Sequence, residues 1–178
     1  MTLAYQIGDK VVHPAYGAGV VMRVVRKNIA GEPRRYYLID PLAYDMEIMV
    51  AVDKVQLIGL RDAMKRSEVA SILSTLRELP NPLPIDNDER QEMLDAKLRS
   101  GDTNQVAEVV RDLNEFERQK EGRLGAKDAR LLKRARESLA GELAVVEEIS
   151  FEEALTQIDK ALAPVDETME EENRESPA

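Results

Sequence analysis

The apolar period of this 178-residue chain changes once, near residue 60, and that change constrains the fold more than any other feature. Before it, the apolar positions form short β-branched runs. Lys10-Val11-Val12-His13 and residues 19–25, 35–39 and 47–52 read as strands, separated by Gly17-Ala18-Gly19, Ala30-Gly31-Glu32-Pro33 and Asp40-Pro41. These connections are too short for crossover helices, so the pairing is predicted to be antiparallel. Four or five short strands suggest a small barrel, which hides most strand edges. An edge left open could accept a partner's strand.

From Ser67 the spacing turns helical. Val69, Ile72, Leu73 and Leu76 recur at three- and four-residue steps after a Ser67 cap, and Pro80, Pro82 and Pro84 stop that helix. Asp86 with Glu89, Asp102 with Gln105 and Ser150 with Glu153 each have the form of a helix start. They open helices carrying Met93, Leu94 and Leu98, then Val106, Val109, Val110, Leu113 and Phe116, and last Leu155, Ile158 and Leu162. Gly101 ends the first of these. Between the last two, another helix begins near Lys127 with Leu131, Leu132, Ala135, Leu139 and Leu143. The predicted class is α+β: a small β domain over residues 1–60, an all-α domain over 61–163, and an acidic tail over 164–178 that is too poor in large apolar groups to fold.

Several classes of protein are disfavoured at once. The length leaves room for one or two modest cores but not for a large enzyme. With no cysteine there is neither a disulfide framework nor a thiolate metal site. No apolar run approaches the roughly 20 residues that span a bilayer, and Met1-Thr2-Leu3-Ala4-Tyr5 lacks the basic start of a signal peptide. A cytoplasmic protein without membrane contact is expected.

Charge marks one segment. Residues 118–136 hold eight Lys or Arg against two acids, in a chain of formal net charge −9. On a helix, Leu131, Leu132, Ala135, Leu139 and Leu143 fall in one arc, and Lys127, Arg130, Lys133, Arg134 and Arg136 in the opposite one. Arg118, Lys120 and Arg123 extend the patch around the preceding turn. Cations so arranged displace counterions from nucleic-acid phosphates, giving salt-sensitive and mainly sequence-independent affinity. A solvated outer face of an amphipathic helix has the same pattern, so charge alone leaves both readings open.

Other chemistry is thin. The sole histidine, His13, lies in a predicted strand with no second ligand or nucleophile to serve, and a structural role is expected. Gly17-Ala18-Gly19 leads into no helix, so it reads as turn glycines rather than a phosphate loop. The acids of Asp86-Asn87-Asp88-Glu89 lack the glycine and distal Glu of a calcium loop and suit a helix N-terminus. No convergent set of nucleophile, base and oxyanion donors is visible. Neither an enzyme, a cofactor nor a small-molecule substrate is expected.

The stretch Gly8-Asp9-Lys10-Val11-Val12-His13-Pro14-Ala15-Tyr16-Gly17-Ala18-Gly19 resembles the opening signature of the CarD family of bacterial transcription regulators. Residues 31–38, Ile58-Gly59-Leu60-Arg61-Asp62, and 100–113 are similar to the family as well, and the resemblance spans about residues 5–146. It implies a Tudor-like or SH3-like β domain that binds the β subunit of RNA polymerase through an exposed strand edge. It also implies a helical domain that touches promoter DNA at the upstream edge of the melted bubble and stabilises the open complex. Carried over by position, the polymerase-facing residues are Arg26, Lys27, Ile48, Met49 and Val50.

One departure stands out. Many family members place a tryptophan among basic residues at the start of the second helix of the helical domain, where an inserted side chain can hold a distorted base step open. The matching position is Asn87, and the chain has no tryptophan. Its neighbours Asp88, Glu89 and Glu92 are acidic and repel phosphate, leaving Arg90 and Lys97 on that helix. DNA contact is therefore expected mainly from Arg123, Lys127, Arg130, Lys133 and Arg134. A second reading keeps the polymerase contact and makes the acidic helical domain an adaptor for another protein.

Overall fold

A computed structural model of the chain describes residues 3–29 and 31–163. The architecture is α+β, a sheet followed by a helical domain. Strands β1 (Lys10–His13), β2 (Gly17–Ile29), β3 (Glu32–Pro41), β4 (Ile48–Ala51) and β5 (Arg61–Asp62) form one antiparallel sheet in the order β4-β3-β2-β1-β5. Tyr5, Val11, Val21, Tyr37, Ile39, Ile48 and Val50 make its core, closed by Val55 of the short helix α1 (Val55–Ile58) and by Leu60. Only glycine fits at 19: an added Cβ would lie 2.5 Å from the Asp40 carbonyl oxygen.

Two details differ from the sequence reading. Strand β5 crosses the expected border between residues 60 and 61, because two polar residues have no detectable period and pair only where β1 offers them an edge. The expected barrel is not closed by hydrogen bonds: among the described residues no ladder joins β4 to β5, and both are edge strands. The expected acidic tail, 164–178, lies outside the described residues.

The helical domain consists of α2 (Val69–Arg77), α3 (Asn87–Arg99), α4 (Thr103–Gln119), α5 (Ala126–Glu147) and α6 (Phe151–Leu162). Their starts follow local chemistry. The Asp86 carboxylate accepts from the amides of Asp88 and Glu89, Asp102 accepts from Asn104, and Ser150 and Glu153 form a complete reciprocal capping box. Ser67 is not a cap: it lies inside a 3-10 turn, Arg66–Glu68, and the Glu68 carboxylate accepts from the Lys65 amide at 2.7 Å. Leu94, Val106, Val109, Val110, Leu113, Leu139, Leu143 and Ile158 form the centre of the core. Truncating any one of these leucines to alanine removes about 2–5 kcal/mol through lost burial and the cavity left behind. Among the described residues no helix is long and apolar enough to cross a membrane.

The second half of α5 joins helices to sheet. Val145 packs with Val12 and Ala18, and Gly141 faces Ala18. Beside them the Glu142 carboxylate, 1% exposed, takes a two-pronged bond from the Arg61 guanidinium at 2.9 Å on each oxygen. Glu142 also accepts from the Met64 amide at 2.6 Å and the Thr103 hydroxyl at 3.1 Å. Lys10 adds a bond from β1 to the Val146 carbonyl and to Glu148. The sheet is thus fastened to α5 by an apolar patch with a buried charge beside it.

Candidate functional site

On the sheet, alternation along β4 sorts three of the expected contacts. Ile48 and Val50 turn into the core, 6% and 5% exposed, whereas Met49 points outward at 40%. Of the three residues expected along a polymerase-facing edge, the pleat therefore gives an exposed side chain to Met49 alone. What Ile48 and Val50 can still offer is backbone, since β4 pairs on one side with β3 and on the other with no strand among the described residues. Arg26 and Lys27 are exposed near the tip of the β2–β3 hairpin, in register with Arg35 and Arg34. Like charges opposite one another weaken a hairpin, and Glu32 offsets part of that repulsion by pairing with Arg34 at 2.9 Å. Arg26, Arg34, Arg35, Val52 and Asp53 are among the residues lining a groove of about 630 Å³ there. His13 has a structural part: its Nδ1 accepts from the amides of Ala15 and Tyr16, and burial pushes its pKa below the ordinary imidazole value.

On the helical domain, the expected DNA contacts separate into available and unavailable groups. Arg90 is the main correction. It is 3% exposed, bonded to the equally buried Asp128 of α5 at 2.6 Å, and stacked on the Phe116 ring at 4.7 Å. Its remaining donors hold the carbonyls of Pro84 and Ile85 and the Asn87 side chain. A guanidinium with every donor engaged in the interior cannot also meet a phosphate. It clips the start of α3 to α5 instead. Asn87 is exposed, but its side-chain oxygen is the one that Arg90 holds, at 2.6 Å. Lys97 is half-committed, paired with Glu108 at 2.6 Å.

The cations of α5 are freer. Lys127 and Arg130 are exposed and form no ion pair among the described residues. Lys133 lies 3.8 Å from Glu137, Arg123 lies 3.6 Å from Glu121, and both remain exposed. Arg134 reaches Asp95 of α3 at 3.2 Å, and Arg136 is turned toward Asp159 of α6. Between α3 and α5 runs an open groove of about 500 Å³ with unlike walls. Asp88, Glu92 and Asp95 form one and Lys127, Arg130 and Arg134 the other. An anion at this groove meets attraction from Lys127, Arg130 and Arg134 and repulsion from Asp88, Glu92 and Asp95, whereas Lys133 stands outside the groove with Glu137 beside it.

Two functional-scale residues escaped the sequence reading, Asp128 and Glu142. A signal existed: both acids fall inside the apolar arc of α5, and an acid there needs a buried partner. Their partners, Arg90 and Arg61, come from distant segments that no local pattern connects.

The chain thus joins a sheet with open edges to a helical domain that carries an exposed cationic ridge. The chain belongs to the CarD family: the family model for the CarD C-terminal domain matches residues 71–159, and that for the CarD-like/TRCF RID domain matches residues 5–64. Among curated relatives, it is 27% identical over 146 residues to "Putative transcription factor YdeB" of Bacillus subtilis (strain 168), covering 82% of this chain and 94% of that protein. The solution structure of the 72-residue N-terminal domain of Myxococcus xanthus CarD matches at 29% identity over 35% of this chain and 83% of the other, with a TM-score of 0.30.

Proposed function

We propose that this protein is a transcription regulator that docks on the β subunit of RNA polymerase through its sheet and reaches promoter DNA through α5, modulating open-complex stability. The observation that carries the DNA half is the pair Lys127 and Arg130, exposed and free of ion pairs among the described residues, with Lys133 continuing the row. The polymerase half rests on family membership, on the open edge of β4 with Met49 beside it, and on the cations of the β2–β3 hairpin. No catalytic step is assigned.

Affinity for duplex DNA should fall as salt rises. Lys127→Gln and Arg130→Gln should each flatten the slope of log K against log salt by about 0.9, one phosphate contact apiece. Arg134→Gln should flatten it less, because Asp95 already holds that guanidinium. Binding that ignores salt would remove the DNA half. In the same protein, Met49→Glu should abolish capture of the polymerase β subunit without touching the DNA slope.

The mixed groove favours a second reading, an adaptor whose helical domain grips another protein. Asp88, Glu92 and Asp95 would then meet a basic partner, and replacing them by Asn and Gln would weaken that contact while strengthening any DNA binding.

A further inference from the structure

Residues 164–178 carry six acids, Asp166, Glu167, Glu170, Glu171, Glu172 and Glu175, against Arg174 alone. Helix α6, which precedes that segment, runs back along α5 toward its cationic end and stops at Leu162. The two helices are joined by residues 148–150 and pack as an antiparallel pair, with Arg136 of α5 bonded to Asp159 of α6. Three residues beyond Asp159, α6 ends at Leu162; three residues before Arg136, on the level the chain has then reached, stands Lys133. Arg130 and Lys127 follow at three-residue steps, about 4.5 Å each along the axis. Fifteen residues extend to about 50 Å, several times the length of that row. Lys127, Arg130 and Lys133 are also the cations of α5 least engaged by the rest of the fold.

We propose that the acidic segment 164–178 binds in cis along Lys127, Arg130 and Lys133 and competes there with the phosphates of DNA. This deepens the DNA reading given above and rests on it. A tethered segment faces its site at an effective concentration near the millimolar range, so weak carboxylate contacts suffice to hold back a weak, non-specific DNA complex. Each tail carboxylate carries one charge and is screened by salt, so the restraint fades at the ionic strengths that also weaken the DNA contact. A tight, specific promoter complex would displace the tail, whereas incidental DNA would not. The acidic tail thereby acts as a filter on the ridge.

The test uses the full chain, native and with D166N, E167Q, E170Q, E171Q, E172Q and E175Q together. Two readouts are taken: duplex DNA affinity across salt, and backbone amide resonances of residues 126–134 without DNA. Neutralising the tail should tighten DNA binding roughly three- to tenfold at low salt, the two proteins converging as salt rises. The same change should move the resonances of Lys127, Arg130 and Lys133 independently of protein concentration. In a K127Q/R130Q/K133Q background neither effect should remain. Resonance shifts with no DNA binding by either protein would keep the tail contact and overturn only the DNA reading. An affinity gain without resonance shifts would mean a general charge effect and overturn the proposal. Shifts that grow with protein concentration would assign the ridge to a second copy of the chain and overturn it as well.

Discussion

Over its first three turns α5 shows Lys127, Arg130, Lys133 and Arg134 to solvent, whereas residues 139–146 of the same helix are all buried. The first stretch is amphipathic in the ordinary way, with Leu132 and Ala135 inward. The second is covered twice, by α4 and α6 on one side and by β1 and β2 on the other. One helix therefore serves as an exposed cationic ridge at one end and as the joint between sheet and helices at the other. Charge is handled oppositely in the two places: exposed cations remain available to an anion, while Glu142 is fully satisfied inside the joint. Because the helix is rigid, the joint sets where the ridge points relative to the free edge of β4.

The contrast is broken most severely at Arg90. Arg90→Ala leaves the Asp128 carboxylate buried without its partner and should remove about 3–5 kcal/mol of stability. Urea unfolding measures it; a stable Arg90→Ala protein with a flattened DNA salt slope would put Arg90 back among the DNA contacts. Next comes the joint. Glu142→Ala should cost about 3 kcal/mol, the lower end of the buried-pair range because Arg61 keeps partial access to water. Sheet and helices should then melt in two transitions rather than one, resolved by calorimetry. A smaller effect of opposite sign is expected one residue away. An added Cβ at Gly141 would sit 4.0 Å from the Ala18 methyl, an ordinary contact, so Gly141→Ala should raise stability by up to about 1 kcal/mol through helix propensity.

The mildest effects are those of pH, at the two ends of β1. The folded pKa of His13 lies below the ordinary value of 6.5, so its contribution is complete above that value and is lost as pH falls through the lower folded one. The physical cause is burial, and protonating Nδ1 would also set a donor against the amides of Ala15 and Tyr16. His13→Asn, which keeps a side-chain acceptor near those amides, should flatten the stability profile just below pH 6.5. At Glu148, the hydrogen bond and charge of Lys10 hold the carboxyl below its usual range. That contribution is present above the ordinary carboxylate pKa and lost as pH falls through the depressed one. Glu148→Gln should remove a slight acid-side slope from thermal unfolding curves.

Much of the fold was legible because it is written in short range. Strand alternation, the three helix-capping carboxylates and hydroxyls, and the apolar arc of α5 each involve residues within a few positions of one another. The site was legible only as far as exposure follows local period. Lys127, Arg130 and Lys133 lie on the outer face that the helical period predicted, and Met49 lies exposed on an edge strand. Arg90 was misjudged because nothing near it announces Asp128, 38 residues later. Along β4, carry-over by position does not separate Ile48 and Val50, which point inward, from Met49, which points outward; the pleat does.

By itself the amino-acid order settled the two-part architecture, since period and punctuation need no distant partner to act. It also settled the charge contrast between the basic segment and the tail. Only the tertiary structure decided which charges are free: Arg90, Glu142 and Asp128 are withdrawn into the interior by segments far away in sequence, and Lys127 and Arg130 are left outside. Burial of a charge requires a partner at bonding distance, and that distance exists only once the chain has folded.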